Sequence, residues 1–401
     1  MKKILILFLS VTLGFNSFSQ DVDYDDILGG NLNTITTAVP FLLISPDSKS
    51  GAMGDVGVAT TPDASSMHWN PAKLAFTKDD IGISVSIVPW LRELVPDINL
   101  QYIGGYYKLN DNEAIGYELR YFSLGDITFT DGSGQVIGQY KPNEMAFGTA
   151  YSRKLSRDFS IAISARYIYS NLTGGQTAGG TETIAGQSIA ADVSTYYTKP
   201  ITIADKKSDI SFGMNISNIG NKISYTETIT RDFIPINLRL GTDVTTEIDD
   251  YNQMSFAIDF NKLLVPSPPI YDADGNLIAG KDPEVSVVSG MFQSFGDAPG
   301  EIDETGNPVP GSIFKEEMRE INISAGFEYW YANQFALRAG YFHEHDTKGG
   351  RKYLTFGSGV KYNVFALDFS YLISTSNIGG TNPLANTMRF TLVFDLGAMG
   401  S

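Results

Sequence analysis

The chain contains no cysteine, which removes disulfide scaffolds, thiolate metal sites, cysteine nucleophiles and lipid attachment at a Cys. Positive charge is sparse: 29 Lys and Arg stand against 45 Asp and Glu, a formal net charge of -16 with a pI near 4.6. A nucleic-acid binder relies on a basic surface, so that class is excluded. Repeated apolar runs of about 20 residues are missing and the mean hydropathy is -0.07, which excludes a polytopic helical membrane protein. What the chain has in excess is Gly (40), Phe (24) and Tyr (21). Its 401 residues fit one large β architecture better than two or three ordinary domains.

The first residues set the compartment. Lys2 and Lys3 form a basic start, Ile4 to Phe15 an apolar stretch, and Ser17-Phe18-Ser19 the small residues that precede cleavage before Gln20. This is the grammar of a secretory signal peptide over 1–19. An exported, cysteine-free, aromatic-rich chain is expected in an outer membrane, where closed strand pairing replaces disulfides as the source of stability.

From about Ile81 the chain alternates with period 2 in stretches of about ten residues. Phe159, Ile161, Ile163, Ala165, Tyr167 and Tyr169 interleave with Ser160, Ala162, Ser164, Arg166 and Ser170; Met388, Phe390, Leu392 and Phe394 interleave with Arg389, Thr391 and Asp395. Apolar residues toward lipid and small or polar ones toward a lumen describe an all-β transmembrane antiparallel barrel. Strands of a soluble sandwich are shorter. We predict about 14 strands, near 81–88, 98–108, 113–124, 143–154, 158–171, 189–198, 208–218, 234–245, 252–262, 320–331, 333–343, 353–363, 364–374 and 387–396. Connections alternate short and long, as expected for periplasmic turns and extracellular loops, with both termini periplasmic. Tyr106-Tyr107, Tyr121-Phe122, Tyr196-Tyr197, Tyr329-Trp330-Tyr331 and Tyr341-Phe342 are read as interfacial girdles. Glu118, Arg120, Arg166, Arg239, Asp243, Asp259, Glu328, Arg338, Asp368, Arg389 and Asp395 are expected to face the lumen as a mutually paired network.

Residues 20–80 lack strand periodicity. They open on an acidic stretch, Asp21 to Asp26, and run through Gly51-Ala52-Met53-Gly54 to Trp69-Asn70-Pro71-Ala72. The expectation is an arm and a plug (hatch) inside the barrel, with small residues allowing close backbone approach and Trp69 wedged against the wall. Residues 397–401 form a tail, either native or an expression remnant.

The small-residue segment followed by Trp-Asn-Pro-Ala resembles the FadL-like outer-membrane family. Ser50 to Thr60, Asn70 to Lys73 and Val88-Pro89-Trp90-Leu91-Arg92-Glu93-Leu94-Val95-Pro96-Asp97 resemble its PorV branch, the FadL-like component of the type IX secretion system of Bacteroidota. The resemblance implies a plugged 14-stranded barrel without chemistry of its own or a cofactor. Its plug motif falls on Gly51, Met53, Gly54, Trp69, Asn70 and Pro71. The implied partners are a large translocon barrel, bound at its lateral opening, cargo bearing C-terminal signal domains, a sortase-like surface attachment complex, and outer-membrane lipid.

Two loops are candidate partner surfaces. Residues 263–319 hold seven of the 17 prolines and a net charge of -7, a composition that favours disorder, yet Val287, Met291, Phe292 and Phe295 interrupt it. Trp90, Leu91 and Leu94 form a second apolar cluster, alternatively a membrane-interface anchor. Asp272–Pro283 fails the EF-hand pattern, with Leu277 where Gly is required; Gly174-Gly175 to Gly179-Gly180 lacks the Lys-Ser/Thr of a phosphate loop. A lipopolysaccharide or lipid A deacylase would need a Ser/His site. Only His68, His343 and His345 are available, no Gly-x-Ser-x-Gly elbow is present, and only Ser370 or Thr355 would lie near a rim histidine. A FadL-like transporter of long-chain fatty acids or other hydrophobic solutes remains the main alternative, and it calls for an apolar lumen pocket.

Overall fold

The structure, a computed structural model, describes residues 32–91, 97–130, 133–175, 177–178, 181–227, 231–272, 274–303, 309–375 and 386–397. The signal peptide, the Asp21–Asp26 stretch, the end of the tail and Leu94 lie outside the described residues.

Fourteen antiparallel strands close into a barrel: β1 (Ile81–Pro89), β2 (Ile98–Asn110), β3 (Glu113–Leu124), β4 (Asn143–Lys154), β5 (Phe159–Asn171), β6 (Gly186–Ile203), β7 (Lys206–Gly220), β8 (Asn237–Glu247), β9 (Asn252–Leu263), β10 (Asn322–Tyr331), β11 (Phe335–His343), β12 (Lys352–Tyr362), β13 (Phe365–Ser374) and β14 (Met388–Asp395). β1 closes on β14 from Gly82 opposite Asp395 to Ile87 opposite Phe390. The burial pattern is inverted relative to a soluble protein. On β5, Ile163 is 62% exposed while Ser164 is 3% exposed. Outward apolar side chains and inward serines are the signature of a wall solvated by lipid. No described helix is long and apolar enough to cross a membrane, which says nothing against a strand-built wall.

Most strand boundaries shift from the sequence reading by one to a few residues, and two of the shifts have a clear physical reason. β6 and β7 run on past Pro200 and meet at a two-residue turn, Ala204-Asp205, both with positive φ. This is the geometry of a tight hairpin, whose twist matches the strands. The expected nine-residue connection is therefore mostly strand. β8 starts later, at Asn237, because Ile234 and Ile236 are drawn into an inward apolar cluster with Phe41, Leu42, Leu100 and Ile168. The longest connection is also ordered over its described residues, with α3 (Val287–Gln293) and α4 (Ser312–Arg319) and a small hairpin around Asp272–Asn276. The disorder that its composition suggested is not found there.

Residues 32–80 thread the lumen. Asn33 and Ala38 donate main-chain hydrogen bonds to Thr347 and Phe233, in two different long loops. α1 (Ser48–Ala52) packs on β11 to β14, α2 (Ser66–Trp69) on β2 and β3, and the 3-10 turn Pro71–Phe76 on β2 to β6. Contact with strands right round the wall places this segment inside the barrel. It ends at Asp80, whose carbonyl accepts from Lys108 beside a short turn. Leu396 donates to Ile81 at that same short-turn end. The first and last described residues thus sit at opposite mouths of the barrel.

Candidate functional site

The plug is assembled around Trp69. Its indole N–H donates to the Asp47 carboxylate at 2.6 Å, and the Arg239 guanidinium lies 4.5 Å above its ring. Asp47 also caps α1 by accepting from the Ser50 amide. Burial pushes its carboxyl up, Asp63 adds to this, and the Ser50 and Trp69 bonds oppose it. The next residue, Asn70, donates to the carbonyls of Val58 and of Thr195 in β6, and its side-chain oxygen accepts from Ala72. Pro71 then opens the 3-10 turn, where a missing N–H costs nothing. Each position of the Trp-Asn-Pro-Ala motif thereby has a mechanical reason.

Glycines on both sides let main chains touch. Gly54, with φ of 72°, has no room for a Cβ against the Tyr341 backbone 2.6 Å away. Gly340 in β11 faces Gly54 and Met53, a Cβ on Gly326 in β10 would fall 2.6 Å from the Met53 carbonyl oxygen, and Gly213 in β7 faces the Val58 carbonyl. Gly51 abuts the Arg389 side chain, and Met53 is buried with Val56 and Ala257. Asp259 completes the seat, accepting from the amides of Gly57 and Val58 at 2.8 and 3.0 Å.

Charges inside the plug are partnered unevenly. Lys49 binds Asp63 at 2.8 Å. Burial alone would raise Asp63, but Lys49 and Lys73 hold it at about 2. Lys73 donates to the Gly57 carbonyl and the Thr60 hydroxyl, and burial pushes it down to about 8. His68 contacts Arg120 through Nδ1. Burial, with Arg120, Arg239 and Arg166 nearby, holds its imidazole well below the ordinary range, so it is a neutral packing group.

The wall network is paired, though not throughout by opposite charge. Arg166 bridges Glu118 and Asp192, Arg338 bridges Glu328 and Asp368, and Arg389 meets Asp55 at 3.4 Å. Arg239 instead bonds Asn261, Asp259 accepts plug amides, and Asp243 accepts from the Thr245 hydroxyl, so these three predicted lumen charges are met by polar groups rather than by opposite charge. Asp395 sits near the short-turn rim, bound to Lys361.

At the long-loop mouth a buried charge cluster fastens the 264–321 connection. Lys262 binds Glu317 and Glu320, Lys348 binds Glu316 and Glu320, and the Asn33 amide bonds Glu316. Glu317 also receives the amides of Asp297 and Ala298. α4 is consequently inverted: Glu316 and Glu317 face inward, while Phe314 is 69% exposed and Met318 is also exposed. α3 divides the predicted partner residues. Val287 and Met291 pack on the inner cluster beside Phe233, whereas Val288, Phe292 (77% exposed) and Phe295 face out. Trp90 and Leu91 turn inward against Phe342, Tyr353 and Leu372. They line a cavity of about 580 Å3 with Ile35, Phe41, Leu124 and Leu372, bordered by Arg351 and Glu344. Phe314 and Met318 were missed in the sequence because flanking glutamates hide them; helical spacing from Phe314 to Met318 was the available signal.

No enzyme-like constellation gathers around the rim histidines among the described residues. His345 Nδ1 pairs with Thr347, while the Thr355 hydroxyl donates to the Ala52 carbonyl in the plug. Ser370 lies mid-strand, opposite Gly357 and Arg389.

The sequence model of the family described as type IX secretion system protein PorV matches residues 29–270. The chain belongs to the PorV family. Its match spans the plug and β1 to β9, so the Trp69 seat and the wall that holds it are family territory. No curated protein sequence matches the chain. Among solved structures, the toluene transporter TbuX of Ralstonia pickettii is similar at 12% identity over 88% of this chain and 98% of that one, with a TM-score of 0.46. A FadL homologue of Pseudomonas aeruginosa is similar at 11% identity over 90% and 99%, with a TM-score of 0.42. The toluene transporter TodX of Pseudomonas putida is similar at 10% over 86% and 95%, with a TM-score of 0.45. This PorV-family chain is an outer-membrane β-barrel of the type IX secretion system.

Proposed function

We propose that the barrel is a non-enzymatic adaptor. It binds the large translocon barrel at its lateral opening, takes over cargo carrying C-terminal signal domains, and hands it to the sortase-like attachment complex. The observation that carries this reading is the inverted cap. α4 buries carboxylates and presents Phe314 and Met318, while α3 presents Val288 and Phe292. Exposed aromatics on a rigidly fastened frame suit protein contact, since little ordering entropy is lost on docking. The same placement supports Phe292 and Phe295 as partner residues, with Trp90 and Leu91 supporting the mouth from within. The plug motif residues Gly51, Met53, Gly54, Trp69, Asn70 and Pro71 keep the lumen shut. Affinity capture from outer membranes tests the reading. Wild type is expected to retain a very large barrel protein and signal-domain cargo, and the Phe292→Asp/Phe314→Asp double variant to lose them. Equal capture by both forms would overturn it.

The cavity beside Trp90 favours a second reading, binding of a hydrophobic solute as in a transporter. Uptake of a long-chain fatty acid that is lost on deletion of the protein, with secretion intact, would support that reading instead.

A further inference from the structure

α4 ends at the lip of the barrel. Its last residue, Arg319, is followed within three residues by β10, and Glu317 and Glu320 cover Lys262 at the end of β9. The carboxylates of this turn are buried, while Lys315 and Arg319 are left on the outer side. Two more cations stand at the same lip. His343, the last residue of β11, lies directly opposite Ile323 of β10 on one side and Lys352, the first residue of β12, on the other. Directly opposed residues share a face of the sheet. This face is the outward one, since Ile323, Tyr341 and Leu354 are each 37–40% exposed. The Tyr341 ring lies 6.4 Å from the His343 imidazole, where an aromatic belt marks the edge of the hydrocarbon. His345, in the turn above, feels all three cations. Burial and then the charge of Arg319 hold its imidazole below the ordinary range, Lys352 and His343 add to this, and Asp346 opposes it. Arg319, His343 and Lys352 therefore converge on one spot at the top of the lipid-facing wall.

We propose that Arg319, His343 and Lys352 bind the phosphorylated headgroup of a glycolipid in the leaflet at the long-loop end, with its acyl chains running down Ile323, Tyr341 and Leu354. The long loops of an outer-membrane barrel face outward, and the outer leaflet there is built of phosphorylated glycolipid. The guanidinium fork and the ammonium supply charge-assisted donors to a phosphate. The acids that face these cations are weak competitors. Lys352 pairs with Asp346 at 2.7 Å and Arg319 with Glu301 at 4.0 Å, and both carboxylates are more than half exposed, so the pairs contribute little in water. The position of the cations favours a lipid over a protein. They sit directly above outward apolar wall, the one place where a phosphate tied to hydrocarbon chains is held by both its ends. The site uses neither Phe292 nor Phe314 and is independent of the proposed protein contacts.

The test weighs the protein intact by native mass spectrometry after expression of the full chain and release from its own outer membrane in mild detergent. Four probes are then titrated: diphosphorylated lipid A, the same glycolipid dephosphorylated, phosphatidylglycerol, and inorganic phosphate. Wild type is expected to bind one diphosphorylated lipid A per barrel and the dephosphorylated form at least about tenfold more weakly. Arg319→Gln/Lys352→Gln is expected to lose the same factor for lipid A, and Lys281→Gln, in the exposed loop away from this lip, to lose nothing. If the double variant does not give a heat-modifiable barrel, Lys352→Gln and His343→Gln carry the test singly, each expected to weaken lipid A and to leave the dephosphorylated form unchanged. Equal binding by wild type and these variants, indifference to the phosphates of the glycolipid, a preference for phosphatidylglycerol, or inorganic phosphate bound as tightly as lipid A would each overturn the proposal.

Discussion

Asp47 and Trp69, 22 residues apart, meet inside the barrel through one 2.6 Å hydrogen bond from the indole to the carboxylate. The bond joins the start of α1 to the end of α2, so it closes the plug on itself. Trp69→Phe keeps an aromatic ring under Arg239 but leaves a buried carboxylate oxygen without its donor. An unmet buried acceptor costs about 1–3 kcal/mol. The expected outcome is a barrel of unchanged heat-modifiability on gels whose plug is cut faster by protease.

The Gly340 position predicts a leak. A Cβ there meets the main chain of Met53 and Gly54, and backbone cannot rotate away as a side chain can. Gly340→Val is expected to cost at least about 1–3 kcal/mol of plug seating and to convert a silent protein into a conducting one in planar bilayers. An equally silent variant would show that the plug is held elsewhere.

Acid sensitivity follows from two carboxyl groups shifted in opposite directions. Asp63, at about 2 in the folded plug against 3.8 when unfolded, contributes stability that is fully present above about pH 4 and is lost as pH falls toward 2. Asp47, raised by burial, acts the other way: its unfavourable ionised form is relieved as pH falls through its raised value. Asp63→Asn should therefore flatten the plug's loss of stability below pH 4, and Asp47→Asn should leave that limb in place. The near-ultraviolet dichroism of Trp69, in a background of Trp90→Phe and Trp330→Phe, measures both.

Glu320 holds two lysines at the mouth, Lys262 at 2.6 Å and Lys348 at 2.9 Å, all nearly inaccessible to solvent. Glu320→Ala leaves Lys262 to Glu317 and Lys348 to Glu316, one carboxylate each in place of two, and is expected to cost about 1–3 kcal/mol, the loss of charge-assisted hydrogen bonds. The cap should loosen first, seen as faster trypsin cleavage after Lys281 and Lys315 in intact outer membranes.

Strand alternation was legible because lipid and lumen sort side chains with period 2; Ile163 and Ser164 differ in exposure by the rule that places them on opposite faces. The break came at Lys199-Pro200-Ile201, where proline masks a strand that continues. The plug motif was legible as a motif and not as a mechanism, since the partners of Gly57 and Val58 on Asp259 lie some 200 residues away. The apolar run ending at Phe292 was visible as a surface. That Met291 faces in and Phe292 out is a helical fact that a one-dimensional run does not contain.

The Asp259 carboxylate holds the plug by the amides of Gly57 and Val58, and Asn70 holds it by the carbonyls of Val58 and Thr195. Such a fastening grips the main chain and is therefore unforgiving of changes in spacing. A single insertion or deletion between Asp55 and Trp69 shifts every anchor out of phase, and the interval is held to small or well-fitted side chains as well, since a Cβ on Gly57 would meet the Trp69 ring and Val58 is fully buried.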